Sequence, residues 1–171
     1  MIYPTRTVIL FILFITCSNF ASPKAIAYFS PQDKVQTKLI NAIRTAKKKI
    51  YAAVYMITEK NIANALIKAK LERGVDVQII TDKISLESSY GKAGMLANQE
   101  VNVFIFNPPD SSYNAFLQAH AIMHNKFALF DKTIWTGSFN WTHSAGSKNR
   151  ENVVTISYDT ALHDRYLEQF N

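Results

Sequence analysis

Apolar and polar positions follow two different periods along this chain. Apolar residues three and four apart form one stripe over residues 35–46, which predicts an amphipathic helix. Residues 50–57 form a short continuous apolar run, which is typical of a buried strand. The same reasoning predicts four further elements in the first half: a helix capped by Thr58 and ended by Gly74, a strand at 75–80, a partly helical stretch at 86–98, and a strand at 101–106.

The second half of the chain is richer in strands. Strands are predicted at 122–130, 133–135 and 152–157, and a final helix at 161–170. Strands that alternate with helices indicate the α/β class, with a mixed β-sheet flanked by helices on both faces.

A proline-containing loop is expected immediately before the strand at 122–130. Pro108 and Pro109 are excluded from helix interiors and central strands. The loop is either a plain connector or a wall for the substrate, in which Tyr113 and Phe116 offer stacking faces.

The first 27 residues differ from the rest of the chain. Arg6 precedes a short apolar run, and Ala25-Ile26-Ala27 forms a small-residue cleavage site, with no acidic residue in the whole segment. This pattern predicts a signal peptide or N-terminal anchor at 1–27, removed before Tyr28 in the first case, and a folded domain at 28–171. We therefore expect an exported protein, periplasmic or secreted, with membrane anchoring as the alternative.

Charge and cysteine content narrow the classes of protein further. The formal net charge is +6, and removal of 1–27 takes away Arg6 and Lys24 and leaves +4, which suits a polyanionic partner. Cys17 is the one cysteine of the sequence and lies in the predicted leader. A mature chain would therefore hold no intrachain disulfide and no thiolate zinc site.

The residues that can carry chemistry are concentrated in the segment 124–152. His124 and Lys126 are two residues apart in an apolar run, so on an extended strand they project from the same face. Ser138 and Asn140 follow in a small polar turn. An imidazole nucleophile with an ammonium group and neutral donors suits a phosphodiester. A second imidazole is required, because one cannot attack phosphorus and protonate the opposite leaving oxygen in the same step.

In order and spacing, these residues resemble the HxKxxxxD signature followed by GSxN that marks the phospholipase D superfamily. The signature reads His124, Lys126, Asp131, Gly137, Ser138 and Asn140, with Glu151 where related proteins carry a glutamate. The chain is most similar to the single-motif members, which include bacterial Nuc-type endonucleases and the mitochondrial cardiolipin hydrolase. Five residues separate Asp131 from Gly137, where the family usually has six, and a shortened hairpin is expected to absorb the difference.

The resemblance implies a role for each of these groups. His124 would attack phosphorus to form a phosphohistidine, which water later releases. Lys126, Ser138 and Asn140 would bind the phosphate oxygens.

Two acidic residues complete the signature. Glu151 would accept a hydrogen bond from the second nitrogen of the His124 ring, with a surface salt bridge to Arg150 as the alternative. Asp131 is an odd number of residues from His124 and so on the opposite face of the strand. We interpret Asp131 as structural, holding the turn that follows.

A single copy of the motif predicts a homodimer. No other histidine in the sequence is followed two residues later by lysine. If each chain supplies one of two imidazoles, the site must lie on a two-fold axis. His120 and His124 have the spacing of a metal-binding pair on a helix, but a strand would hold them too far apart, and the phosphohistidine route needs no metal and no cofactor.

Three functions are compatible with this pattern. The first is a metal-independent phosphodiesterase that acts as a non-specific endonuclease on DNA, with RNA as a further candidate substrate. The second keeps the chemistry but acts on phospholipid head groups. The third is a nucleic-acid-binding protein without catalysis, in which the shortened spacing has misaligned the pocket.

Overall fold

The computed structural model describes residues 22–106 and 121–171, which form one seven-stranded sheet with helices. The strands are β1 (Lys24–Ser30), β2 (Lys49–Val54), β3 (Asp76–Thr81), β4 (Asn102–Ile105), β5 (Lys126–Phe130), β6 (Thr133–Gly137) and β7 (Glu151–Ser157). The helices are α1 (Val35–Thr45), α2 (Lys60–Arg73), α3 (Ile84–Glu87), α4 (Ala93–Ala97), α5 (His143–Ser147) and α6 (Thr160–Phe170).

The sheet is mixed. Its strand order is β1-β7-β6-β5-β2-β3-β4. The pairs β2–β3 and β3–β4 are parallel, and all other neighbours are antiparallel. The predicted α/β class with a mixed sheet is confirmed.

Helices cover both faces of the sheet, as the alternation of residues along β2 shows. Ile50, Ala52 and Val54 belong to the larger core, which includes the buried faces of α1 and α2. Tyr51 and Ala53 point to the other face, where a smaller cluster includes residues of α6. Burial on both faces explains why β2 reads as a continuous apolar run rather than an alternating one.

Helix α2 begins one residue later than the sequence indicates. Glu59, not Thr58, is the N-cap, and its Oε1 accepts a hydrogen bond from the Asn61 amide at 3.2 Å. The helix ends at Gly74, which adopts the left-handed conformation with φ 65°. The Arg73 guanidinium donates to main-chain carbonyls at the end of α1, so the two helices are tied together at this edge.

Strand β1 includes the segment predicted as a cleavage site. Ala25 pairs with Ile156 and Ala27 with Val154, in an antiparallel ladder that starts at Lys24. The sheet therefore begins four residues before Tyr28, the predicted start of the mature chain. Removal of a leader stays a prediction, and residues 1–21 lie outside the described part of the chain.

Strand β5 is shorter than predicted and begins at Lys126 rather than at residue 122. A two-residue turn, Asp131-Lys132, connects it to β6, so that Phe130 pairs with Thr133. This tight turn accommodates the shortened spacing of the signature. The proline-containing loop at 107–119 lies outside the described residues. Within the described ranges, no helix is long and apolar enough to cross a membrane.

Asp131 stabilises the end of the sheet at which β5 ends and β2 and β6 begin. Its carboxylate accepts hydrogen bonds from the amides of Lys47, Lys48 and Lys49 at 2.8–3.0 Å, which fixes the turn between α1 and β2. Its backbone has a positive φ of 52°, and its carbonyl oxygen lies 3.0 Å from Nε2 of the buried His163. Burial by itself would raise the pKa of Asp131, but the three amides and the charge of Lys48 outweigh it, so the pKa is lowered.

We expect Asp131→Asn to lower the free energy of unfolding by about 1.5–3 kcal/mol at pH 7, the usual range for hydrogen bonds to a charged group. Because folding lowers the pKa of Asp131, its contribution is complete above the pKa of the unfolded chain, about 3.9. The contribution is lost as the pH falls through the folded-state pKa.

Denaturant unfolding of both proteins from pH 7 to pH 2.5 measures this difference. Glu168→Gln is the matched control, because it removes one negative charge from an exposed pair with Arg165 and should change stability by less than about 0.5 kcal/mol. A wild-type advantage that persists unchanged at pH 2.5 would contradict the assignment.

Candidate active site

The residues predicted to bind and cleave the substrate lie at one end of the sheet, whereas Asp131 of the signature lies at the other end. The carboxyl ends of β2, β3 and β6 meet the amino ends of β5 and β7 at the first of these ends. Val54, the last residue of β2, pairs with Lys126, the first of β5, and Gly137 at the end of β6 pairs with Val153 of β7. This end therefore combines residues that are far apart in the sequence.

His124 is exposed and lies in the segment before β5 rather than within the strand. The predicted strand is shortened because the Met123 amide donates to the buried carboxylate of Asp82, at 3.0 Å, instead of to another strand. On the other side, the Tyr55 amide donates to the Asn125 carbonyl at 2.8 Å. These two bonds fix the main chain on both sides of the imidazole.

The Tyr55 ring brings His124 and Lys126 together. The imidazole contacts the ring edge to face, with 4.8 Å between centroids, and Nζ of Lys126 lies 5.1 Å from the Tyr55 centroid. The Lys126 ammonium also donates to the His124 carbonyl oxygen at 2.6 Å. The two side chains thus share one side of the segment, although His124 is not part of a strand.

Lys126 has a pKa that is lowered from the ordinary value of a lysine. Partial burial of the ammonium group is the larger effect and lowers the pKa, whereas the negative charge of Glu151 raises it. The charge of Glu151 therefore offsets part of the effect that burial has on the pKa of Lys126.

Glu151 contacts Ser138 rather than His124. The Ser138 hydroxyl donates to Oε2 of Glu151, and Oε1 accepts from Asn149 at 3.1 Å. Among residues 22–106 and 121–171, no hydrogen bond joins Glu151 to His124 and no salt bridge joins it to Arg150. Both sequence-based expectations for Glu151 therefore differ from the structure, because its two oxygens are occupied by neighbours on the β6–β7 side.

Gly137 allows the close approach of β6 and β7 that positions Ser138. Its φ is 157°, and a Cβ at this position would lie 2.1 Å from the Asn152 carbonyl oxygen. The Ser138 amide donates to that same oxygen at 3.0 Å, and the Asn152 amide donates to the Ser138 hydroxyl at 3.1 Å. A side chain at Gly137 would push the two strands apart.

Asn140 lies between two buried aromatic residues, Phe139 and Trp141, each 1% exposed. Its Oδ1 atom is buried and has no hydrogen-bond partner within the described ranges. Buried polar groups without partners are rare, and the other such side-chain atom within these ranges is Nε1 of the core residue Trp135. Oδ1 of Asn140 therefore accepts no hydrogen bond from the described part of the protein.

The loop that carries Ser138 and Asn140 is fixed to the segment between β2 and α2. The Trp141 amide donates to the Met56 carbonyl, and its own carbonyl accepts from the amides of Thr58 and Glu59, all at 3.0–3.1 Å. Nδ1 of His143 lies 3.3 Å from Oε2 of Glu59. This anchoring connects the candidate phosphate ligands to the end of β2 next to Tyr55.

Tyr55 and Asp82 were missed by the sequence-based interpretation. Tyr55 directly follows the buried strand β2, and Asp82 directly follows β3. A polar or aromatic residue directly after a buried apolar strand was the signal that could have identified them. The group that each would contact lies far away in the sequence, so its role was not visible. The residues described contain no cluster of three or more His, Cys, Asp or Glu that could hold a metal ion. His120 lies outside them.

Comparison with known proteins identifies the family. The profile for the PLD-like domain of cardiolipin synthase matches residues 39–171 of this chain. The chain belongs to the phospholipase D superfamily. A phospholipase D of Rickettsia bellii is 32% identical over 154 residues, which cover 90% of this chain and 70% of the relative. Membership makes the chain an enzyme, a phosphodiesterase, as the signature implied, rather than a binding protein without catalysis.

Other members of the superfamily extend the comparison. The mitochondrial cardiolipin hydrolase of Mus musculus is 30% identical over 135 residues, 78% of this chain and 55% of the relative. The crystal structure of Nuc from Salmonella typhimurium, a phospholipase D family member, has a TM-score of 0.71 and 32% identity and covers 87% of this chain and 92% of Nuc. NucT from Helicobacter pylori, at 24% identity, shares the fold with a TM-score of 0.76 over 87% of this chain and 94% of NucT.

We expect Glu151→Gln to move the alkaline limb of the pH profile of kcat/KM to lower pH. The amide retains an acceptor for Ser138 but loses the charge that raises the pKa of Lys126, so the lysine deprotonates earlier. Glu72→Gln, at an exposed position near the end of α2 on the opposite edge, is the charge-matched control. An alkaline limb that stays in place in Glu151→Gln would show that this charge does not act on Lys126.

We expect Asp82→Ala to lower kcat by about 100-fold, because the His124 segment loses the hydrogen bond that fixes its backbone. Asp82→Asn keeps an acceptor oxygen and should restore most of the rate. Steady-state kinetics on both variants separates this positioning effect from a loss of binding, which would raise KM instead. Equal kcat in Asp82→Ala and the wild type would contradict the role.

Proposed function

We propose that this phosphodiesterase is a homodimeric nuclease that cleaves DNA, and RNA as a further candidate, through a phosphohistidine intermediate and without a metal ion. The observation that carries the proposal is the single His124–Lys126 pair, which lies at the same end of the sheet as Ser138 and Asn140. One chain provides one such imidazole, and the in-line displacement needs two. A second copy across a two-fold axis supplies the other.

Each group then has a role in the reaction. His124 of one subunit attacks phosphorus, and His124 of the second copy protonates the leaving oxygen. Lys126 contributes a positive charge to the phosphate oxygens, and Ser138 and Asn140 contribute neutral polar groups. Glu151 orients the Ser138 hydroxyl and supports the charge of Lys126. The second imidazole, which has lost its proton to the leaving oxygen, then takes a proton from a water molecule; the water oxygen bonds to phosphorus, and the bond between phosphorus and the first His124 breaks.

Nucleic acid is the favoured substrate for two reasons. The net charge of +6 suits a polyanion, and it remains positive if residues 1–27 are removed. The similarity to Nuc at 32% identity extends over 92% of that protein. Phospholipid is the second candidate, favoured by the 32% identity to a phospholipase D over 70% of that relative.

We expect His124→Ala to abolish cleavage of plasmid DNA, because the nucleophile is removed, whereas EDTA should leave the wild-type rate unchanged. His124 is exposed, so the variant should unfold at the same temperature as the wild type. Gel assays with and without chelator measure both effects. Residual cleavage by the purified variant would defeat the assignment of His124.

The dimer can be tested by mixing subunits. Co-expression of wild-type and His124→Ala chains with different tags yields hybrid dimers, which should be inactive because each site needs two imidazoles. A hybrid with half of the wild-type activity would show that one imidazole per site is sufficient. Its mass in solution would confirm that the hybrid contains two chains.

Side-by-side assays separate the two substrate classes. Wild-type protein would be given plasmid DNA, a single-stranded oligonucleotide, and vesicles of phosphatidylcholine or cardiolipin. Hydrolysis of lipid without cleavage of nucleic acid would overturn the preference for a nuclease, and loss of both activities in His124→Ala would show that one site performs them.

We also infer export, on the basis of residues 1–27. Mass spectrometry of the mature protein locates the cleavage site. A mature chain that begins at Tyr28 would lack Lys24 to Ala27 of β1, whereas cleavage further upstream would leave that strand complete.

A further inference from the structure

We propose that the Tyr55 ring is a positioning group for the reaction, which holds the His124 imidazole in the orientation needed for attack on phosphorus. The inference rests on the proposed attack by His124 and adds to it a residue outside the signature. Tyr55 acts through the imidazole that it contacts and not on the reacting atoms themselves.

The His124 imidazole lacks other support. It is exposed and lies on a segment without regular secondary structure. Within the described ranges no hydrogen bond reaches the ring, because Glu151 is bonded to Ser138 instead. The contact with the Tyr55 ring, at 4.8 Å between centroids, therefore restricts its rotation. In-line attack requires the reacting atoms to be about 3–3.5 Å apart, and a misplacement of about 1 Å can lower the rate about 100-fold.

The Lys126 ammonium depends on Tyr55 less than the imidazole does. Its Nζ lies 5.1 Å from the centroid of the Tyr55 ring, but it also donates to the His124 carbonyl oxygen at 2.6 Å. Removal of the ring would leave this hydrogen bond in place. The loss of the ring should therefore disturb the nucleophile more than the charge that binds phosphate, which predicts an effect on kcat rather than on KM.

The backbone of Tyr55 is fixed before substrate binds. Its amide donates to the Asn125 carbonyl oxygen at 2.8 Å, which joins it to the segment of the nucleophile. Its own carbonyl oxygen lies 3.2 Å from Oγ1 of Thr81 and 3.1 Å from Oγ of Ser85. The ring is thus carried by a main chain that is hydrogen-bonded on both sides.

Thr81 and Ser85 form a buried hydroxyl pair that the proposed reaction does not otherwise use. Both are 0% exposed, and their hydroxyl oxygens are 2.9 Å apart. The Thr81 hydroxyl also lies 2.8 Å from the Val54 carbonyl oxygen, and the Ser85 hydroxyl accepts from the Ile57 amide at 3.1 Å. Buried polar groups need partners, and here the partners flank Tyr55 where β2 ends. The pair therefore sets the direction in which the Tyr55 ring leaves the sheet.

The kinetic test compares Tyr55→Leu with Tyr55→Phe on plasmid DNA and on bis(p-nitrophenyl) phosphate, a small diester without bases or lipid chains. Tyr55→Leu should lower kcat about 10- to 100-fold on both substrates and change KM less than about 3-fold, because alignment is lost while phosphate binding remains. Tyr55→Phe keeps the ring and should restore kcat to within about 3-fold of the wild type.

The contact between the two rings has a readout that needs no activity. The Hε1 proton of His124, assigned by comparison with His124→Ala, is close enough to the Tyr55 ring to be shifted by its ring current. Its NMR signal should move in Tyr55→Leu and stay near the wild-type position in Tyr55→Phe. A signal that stays in place in Tyr55→Leu would show that this ring does not hold the imidazole.

Tyr51→Leu is the matched control. Tyr51 lies on the same strand, at its other end, and its ring contacts both a lysine, with Nζ of Lys49 at 5.5 Å, and an aromatic residue, Phe170, at 5.1 Å. Loss of this ring should lower the melting temperature, because it also removes the hydrogen bond to Asp76. It should leave kcat unchanged, which separates a structural tyrosine from a positioning one.

The outcomes distinguish this inference from the proposed function. Unchanged kcat in Tyr55→Leu would overturn the positioning role and leave the nuclease intact. An equal loss in Tyr55→Phe would assign the effect to the hydroxyl group and would also overturn it. Cleavage of the small diester without cleavage of DNA would refute the nuclease alone, and the small diester would then decide the role of Tyr55. A wild type inactive on both diesters would refute the two proposals together.

Discussion

The antiparallel pairing of β5 with β2 is the constraint on which this structure depends. Lys126 opposite Val54 places the amino end of β5 next to the carboxyl end of β2. A shift of the register by one residue would exchange the two faces of β5, so that Phe127 of the smaller cluster would face the larger core and Ala128 would face the smaller cluster. The pairing also brings the Tyr55 ring to His124 and Lys126, so core packing and site geometry are specified by the same contacts.

The two ends of the sheet, where its strands start and stop, are held by different kinds of hydrogen bond. At the far end, Asp131 binds three consecutive amides and fixes the short turn that leads into β6. At the end that holds the candidate active site, polar groups join separate segments: Asp82 accepts from the Met123 amide, and Glu151 accepts from Ser138. The Asp131 turn sets the register of β6 against β5, and so determines where Ser138 arrives at the opposite end.

The periodicity of apolar residues predicted those helices and strands whose buried face and ends depend on residues close together in the sequence. The stripe Val35, Leu39 and Ile43 predicted α1, and Gly74 marked the end of α2, because these signals depend on neighbours in the sequence. The site motif was likewise visible in its order and spacing. Contacts between distant segments were not visible. The segment 122–125 reads as a strand, but the Met123 amide pairs with Asp82, forty-one residues away, and Glu151 finds Ser138 rather than an imidazole.

Strand β1 has a consequence for how the chain is assembled. It is the first strand in the described sequence, yet its ladder is with β7, the last, where Lys24 pairs with Ser157. Contacts between such distant segments form slowly, because a long loop must close first. During synthesis, β1 therefore stays without its neighbour until nearly the whole domain has emerged.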